Sequence, residues 1–158
     1  ILRLTTDPPK PPFYGAIERY LDENNLQNPT AKDLRRAVTE IRADKLPDPN
    51  IKPNTGSFFK NAIVERAVFD SLISEYPEIP HYEMPHNRVK IPTGWLIEQA
   101  GLKGTSHHGM RVHDKNALVL INESATSYRD LAAARQEIID AVHAKFGIII
   151  EQEPLELA

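Results

Sequence analysis

The stretch from Ala117 to Gly147 constrains this chain more than any other. ALVLIN (Ala117–Asn122) is a short continuous apolar run, the pattern of a strand buried on both faces. Shortly after it, TSYRD (Thr126–Asp130) carries the hydroxyl-then-acid spacing of a helix capping box. Leu131, Ala134, Ile138, Val142 and Phe146 then recur on one helical face, and Gly147 supplies a stop. A buried strand feeding a long amphipathic helix has to be covered by other layers, so the rest of the chain must provide both strands and helices.

The remaining pattern supplies them. Thr30 is placed to cap a helix carried by Leu34, Ala37, Val38 and Ile41 through Asp44, and KLPDPN (Lys45–Asn50) breaks it. Val68, Phe69, Leu72, Ile73 and Tyr76 mark another helix that ends before Pro77. A loop bearing prolines and histidines leads to RVKIP (Arg88–Pro92), and WLIEQAG (Trp95–Gly101) is a short helix closed by glycine. IIIE (Ile148–Glu151) reads as a closing strand. At the other end, Ile1–Thr6 alternates like a strand and DPPKPP (Asp7–Pro12) is a stiff extended connector. There is no regular βαβ repeat, so the expected fold is α+β, a mixed sheet packed with helices. The expected organisation is an entry segment and connector over residues 1–12 and one domain over 13–158. The opening Ile1 fits numbering begun inside a longer protein.

Composition removes several function classes. A chain of 158 residues with 19 basic and 22 acidic side chains, net −3, generates no broad field for nucleic acid or anionic membrane. The absence of cysteine excludes thiol catalysis, thiolate metal ligands and disulfides, and is compatible with a reducing compartment. No apolar run reaches the length of a membrane span. The expectation is a cytoplasmic protein with neither nucleic-acid nor membrane partners.

Among candidate sites, NTGSFFKN (Asn54–Asn61) stands out. Asn-Thr-Gly reads as a turn, and the paired Phe58 and Phe59 anchor the chain beyond it in a core. This either holds the Ser57 hydroxyl at the mouth of a pocket or simply feeds a strand. SHHGMRVH places His107, His108 and His113 close together, but the spacing fits no zinc pattern, and loop histidines are the simpler reading. Lys45, Lys60 and Lys90 are able to clamp an anion, although a solvated surface role is the ordinary one for a lysine. Glu151 and Glu153 share one face by alternation, either as a solvated strand end or as a site. Dinucleotide, phosphate-loop and nucleophile-elbow motifs are all missing.

KLPDPN, NTGSFFKNAIV, KIPTGWLIEQAGLKG, VHDKNALVLIN and KFGIIIEQE, in this order and spacing, resemble the C-terminal part of the UDP-N-acetylenolpyruvoylglucosamine reductases, the MurB flavoenzymes. The resemblance runs from about Tyr14 to Glu153. It implies a MurB C-terminal-like α+β fold and an oxidoreductase of peptidoglycan synthesis, hence of cell-wall growth, shape and division. In that family NADPH reduces a bound FAD, and the flavin delivers hydride to the enolpyruvyl group of UDP-N-acetylglucosamine enolpyruvate. The serine of the GSFF motif donates the proton, which the resemblance puts at Ser57, with a glutamate assisting at Glu153. Ligand contacts carry over to Lys45, Asn61, Tyr82, Lys90 and Asn116, and Tyr14 resembles the tyrosine that closes over substrate in the class with an added loop.

Ala62 departs from the family's usual proline, and His108, Met110 and Arg111 stand where small residues are usual. The flavin is held mainly by N-terminal domains outside these residues, so the chain is expected to be the substrate-binding half, inactive alone. Two other readings remain: a UDP-sugar-binding module without catalysis, and a metal-dependent hydrolase built on the histidines.

Overall fold

The computed structural model describes residues 7–156. The strand expected over Ile1–Thr6 lies outside them. The chain divides into two compact units, the break falling after Pro47, whereas the sequence placed its boundary after Pro12.

The first unit is a helical pair. Helix α1 (Gly15–Glu23), which the sequence did not announce, buries Leu21, and α2 (Ala31–Lys45) buries Ala37. Thr30 and Asp33 close a reciprocal capping box on α2, as the Thr30 signal implied. Leu46 leaves the helix in extended conformation ahead of Pro47.

The second unit is α+β. Its elements run β1 (Asn54–Ser57), β2 (Ala62–Glu65), α3 (Arg66–Glu75), β3 (Tyr82–Met84), β4 (Arg88–Ile91), α4 (Thr93–Gln99), β5 (Ser106–His107), β6 (Met110–Val112), β7 (Val119–Asn122) and α5 (Tyr128–Phe146). The strands form two sheets, ordered β1-β7-β6-β5 and β2-β4-β3. Every described pairing is antiparallel, so two antiparallel sheets replace the single mixed sheet expected.

One apolar cluster joins the layers. Val119, Leu120 and Ile121 are buried on the central strand β7, while Ala134, Ile138, Val142 and Phe146 bury the predicted stripe of α5. Ser127 and Asp130 cap α5, and Gly147 closes it at φ 68°, where a side chain would be strained. Tyr76, Trp95 and Phe146 meet as an aromatic triad with centroids 5.2–6.0 Å apart, tying α3, α4 and α5 together.

Two expectations fail here. IIIE does not form a strand: Ile148 and Ile150 are buried, but the only strand-like pairing described for this region is the isolated bridge Phe59–Gln152. Asn-Thr-Gly is not a free turn but the body of β1. Asn54 pairs with Ile121 and Ser57 with Val119, so one extra residue is absorbed as a bulge with Gly56 at φ 64°. The sequence showed the turn chemistry of Asn and Gly but not the partner strand.

The histidine-bearing segment forms the β5–β6 hairpin. Gly109, at φ 79°, turns it, and its carbonyl accepts from the Glu123 and Ser124 amides at 2.9 and 3.0 Å. An added Cβ would lie 2.5 Å from the Ala125 nitrogen, a contact that backbone must move to relieve. Gly109→Ala is therefore expected to cost more than the roughly 1–2 kcal/mol of a left-handed alanine alone. Urea unfolding measures this, and an unchanged midpoint would show that the hairpin gives way freely.

Candidate functional site

Ser57 owes its position to hydrogen bonds made by its neighbours. The Asn54 side-chain oxygen accepts from the Gly56 amide at 2.9 Å, and the Thr55 hydroxyl accepts from the Leu120 amide at 3.3 Å. These bonds close the bulge, because Thr55 takes the place of a backbone acceptor that the irregular register has removed. Immediately after Ser57, the Phe58 amide donates to Leu118 O at 2.7 Å. Phe58 and Phe59 are both buried and meet edge to face at 5.1 Å, so the chain on the far side of Ser57 is anchored in the core. Ser57 itself is exposed.

Glu153 lies on the neighbouring segment. Its amide donates to Phe58 O at 2.8 Å, the Lys60 amide donates to Glu151 O at 2.9 Å, and Phe59 bridges to Gln152 between them. The two candidate catalytic residues are thus carried by adjacent antiparallel segments. Glu151 is an exposed partner of Lys60 at 3.2 Å, which separates its role from that of Glu153.

Asn61 is fixed through a residue that no sequence motif singled out. Thr93, fully buried, donates to Lys60 O at 2.7 Å and accepts from the Ala62 amide at 3.0 Å, while its own amide donates to the Asn61 side-chain oxygen at 3.2 Å. The Asn61 amide group remains as the donor end of the side chain. Ala62 is part of this arrangement, because a proline there would have no N–H to give Thr93. A lone threonine between Pro92 and Gly94 in an apolar run was the available signal.

Tyr82 and Lys90 are direct partners across β3 and β4, and Lys90 opposes Ile63 on β2. The three share the exposed face of the smaller sheet, with the Lys90 ammonium 5.1 Å from the Tyr82 ring centroid. Asn116 sits in the turn that enters β7. Its side-chain oxygen accepts from the Leu118 amide at 3.1 Å, the same residue whose carbonyl receives Phe58. His113 shapes that turn: its Nδ1 accepts from the Lys115 and Asn116 amides at 2.8 and 3.3 Å. Burial lowers the His113 pKa below its ordinary value, and Asp114 opposes that shift. A neutral ring is what an Nδ1 acceptor requires.

Tyr14 and Lys45 belong to the first unit: Tyr14 is the exposed N-cap of α1, without a side-chain capping bond, and Lys45 ends α2. The sites on β1, on β3–β4, before β7 and after Ile150 belong to the second.

The HHGMR segment is accommodated internally. Met110 is buried, and Arg111 bonds Asp114 at 2.8 Å. His107 and His108 both contact Glu137 on α5, at 2.7 and 2.9 Å, and hydrogen bonds from His107 first and His108 second hold the Glu137 carboxyl below its ordinary range. Among the described residues no group of three or more His, Asp or Glu is arranged to hold a metal ion.

The fold and these positions define a class: an α+β domain that displays a hydroxyl, a carboxylate, side-chain amides and an ammonium group on open surfaces. Residues 48–156 match the family model described as UDP-N-acetylenolpyruvoylglucosamine reductase, C-terminal domain, and the chain belongs to that family. It is 45% identical over 140 residues to the UDP-N-acetylenolpyruvoylglucosamine reductase of Bacteroides fragilis, covering 89% of this chain and 42% of the relative. The enzyme of the same name from Chromobacterium violaceum is 40% identical over 144 residues, covering 91% and 42%, and that of Psychrobacter cryohalolentis is 42% identical over 160, covering 97% and 43%. The chain therefore spans about two fifths of the length of these relatives.

Thr93→Val removes both hydroxyl bonds and leaves the Lys60 carbonyl and Ala62 amide without this partner. The expected loss is about 1–3 kcal/mol in urea unfolding, with Thr93→Ser retaining most of the stability. Equal stability of the Val and Ser variants would show that the hydroxyl is not what secures this corner.

Proposed function

We propose that this chain is the substrate-binding half of a flavin-dependent reductase that converts UDP-N-acetylglucosamine enolpyruvate to UDP-N-acetylmuramate for peptidoglycan. The observation that carries the reading is the pairing of the Phe58–Lys60 and Glu151–Glu153 segments, which brings the residue next to Ser57 against Glu153 within a family of such reductases.

The residues fit one wall of a flavin site. Ser57 and Glu153 are exposed on a surface, and the flavin would be held mainly by N-terminal domains preceding this chain. When bound and reduced by NADPH, the flavin supplies hydride to the enolpyruvyl double bond. The work of the present residues begins there. Hydride addition at one carbon leaves an enolate-like anion, and Ser57 gives its hydroxyl proton to the adjacent carbon, so that one hydride and one proton saturate the bond. A neutral hydroxyl suits this role, because it delivers a proton without presenting a fixed negative charge to incoming hydride. On this reading Glu153 would order the hydroxyl and the proton that restores it.

Binding follows from the other side chains of the second unit. Lys90 offers an ammonium group to the diphosphate, Asn61 and Asn116 offer amides to sugar or uracil edges, and Tyr82 offers a ring for stacking. This assignment carries a cytoplasmic location, where UDP-sugars are made. No described helix is long and apolar enough to cross a membrane.

In the full-length protein, Ser57→Ala is expected to slow oxidation of the reduced flavin by the enolpyruvyl substrate about a hundredfold or more, the usual worth of general acid catalysis. Reduction by NADPH should be nearly unchanged, and stopped-flow absorbance separates the two. Equal loss in both half-reactions would remove Ser57 from the chemistry. Lys90→Ala is expected to weaken UDP-sugar binding about tenfold by calorimetry, as loss of a charge-assisted contact does. Unchanged affinity would take Lys90 off the ligand surface.

A further inference from the structure

The segment that carries Glu153 has little to hold it. After Ile150 the described chain forms no helix and no extended strand, and its backbone is tied to residues 58–60 by two backbone hydrogen bonds. Such a segment is open to register error, and a slip by one residue would exchange inward and outward side chains. Something must fix which of Glu151, Gln152 and Glu153 faces inward.

Arg135 is placed to do this. It lies on α5 with its side chain only 22% exposed, and its Nη1 donates to Gln152 Oε1 at 2.5 Å and to the Glu156 carboxylate. Gln152 in turn donates from Nε2 to Pro154 O and to Glu156 Oε1, each at 3.0 Å. Burial works against the charged guanidinium, but its bonds to Glu156 and Tyr128 outweigh this and raise its pKa further. Phe58, Tyr128, Leu131 and Pro154 line the same cavity of about 340 Å³ around these groups. The guanidinium therefore binds the tail through one inward side chain and one carboxylate beyond it.

We infer that Arg135 is the positioning residue for Glu153. With Gln152 held inward on Arg135, local alternation about the single Phe59–Gln152 bridge turns both Glu151 and Glu153 to the opposite, exposed side. The Glu151–Lys60 ion pair at 3.2 Å lies on that face, as the alternation requires. Arg135 does not reach the reacting atoms in this arrangement, and it acts through the register of the segment. The inference rests on the role of Glu153 proposed above.

The test uses the full-length flavoprotein with Arg135→Ala, Arg135→Lys, Glu153→Gln and the Ala/Gln double variant. Arg135→Ala should slow flavin oxidation by the enolpyruvyl substrate about tenfold, while NADPH reduction and substrate affinity stay near wild type, as expected when a reacting group is displaced rather than removed. Arg135→Lys should recover most of that rate. In the double variant Arg135→Ala should add nothing to Glu153→Gln, since one acts through the other. Hydrogen exchange at the Glu153 amide should accelerate in Arg135→Ala without global unfolding. A wild-type oxidation rate, equal loss in both half-reactions, additive effects in the double variant, or unchanged amide exchange would each overturn the inference. If Glu153→Gln alone has no effect on oxidation, the catalytic reading of Glu153 falls instead, and the amide exchange still decides whether Arg135 holds the segment.

Discussion

Phe58 is the residue on which the second unit turns, because its backbone is used on both sides. Its N–H joins Leu118 at the entrance to the central strand β7, and its C=O receives the amide of Glu153 from the segment after α5. Its ring and that of Phe59 fill the core beneath. Ser57 on one side, Lys60 on the other, the Asn116 turn and the Glu153 segment are all located by bonds to this short stretch. Burying two adjacent aromatic rings stabilises the arrangement by several kcal/mol, more than any one surface ion pair contributes. The candidate site therefore takes its geometry from packing.

Charge plays a secondary and local part. The ion pairs of the second unit are exposed on at least one side, including Lys60–Glu151, Arg66–Glu83 and Arg111–Asp114. Such pairs are worth about 1 kcal/mol or less. Among the described residues Thr93 is the polar exception in an apolar core, and its position is informative: a fully buried hydroxyl with both a donor and an acceptor partner stabilises only because neither bond is missing. Ala62 belongs to this arrangement, since the alanine N–H gives Thr93 one of its two partners.

The parts that were legible in the sequence are those whose signals are local. Helix α5 was readable from its capping box, its apolar stripe and Gly147, and α2 from Thr30, because caps and 3.6-residue periodicity lie within one element. β7 announced itself by an unbroken apolar run. The hidden parts depend on distant partners. β1 looked like a turn because Asn54 and Gly56 serve a bulge, which only the pairing with Ile121 and Val119 reveals. β2, β3 and the β5–β6 hairpin have two to four residues per strand, too few for alternation to be read. IIIE failed in the opposite sense: Ile148 and Ile150 are buried, but among the described residues this region makes no strand pairing beyond a single bridge. For the site, segment motifs pointed to Ser57, Asn61, Lys90 and Glu153, whereas Thr55 and Thr93 lie inside quoted motifs without being singled out, Arg135 lies outside them, and the roles of all three are seen only through their contacts.

The exposure of Ser57 bears on how its proposed chemistry would be controlled. A serine hydroxyl is a very weak acid, and it gives up a proton usefully only where the charge left behind is stabilised and water is excluded. On the open face of this unit neither condition is supplied by the residues around it, which are committed to fixing its backbone. The same is true of Glu153, whose segment is secured by its amide and by the neighbouring Gln152, leaving the carboxylate turned outward. Proton transfer between them would then wait for a second surface to cover both groups and expel solvent. On the proposed reading that surface is the flavin-bearing half, so the division of the site between two bodies would itself restrict the reaction to the closed, substrate-loaded state.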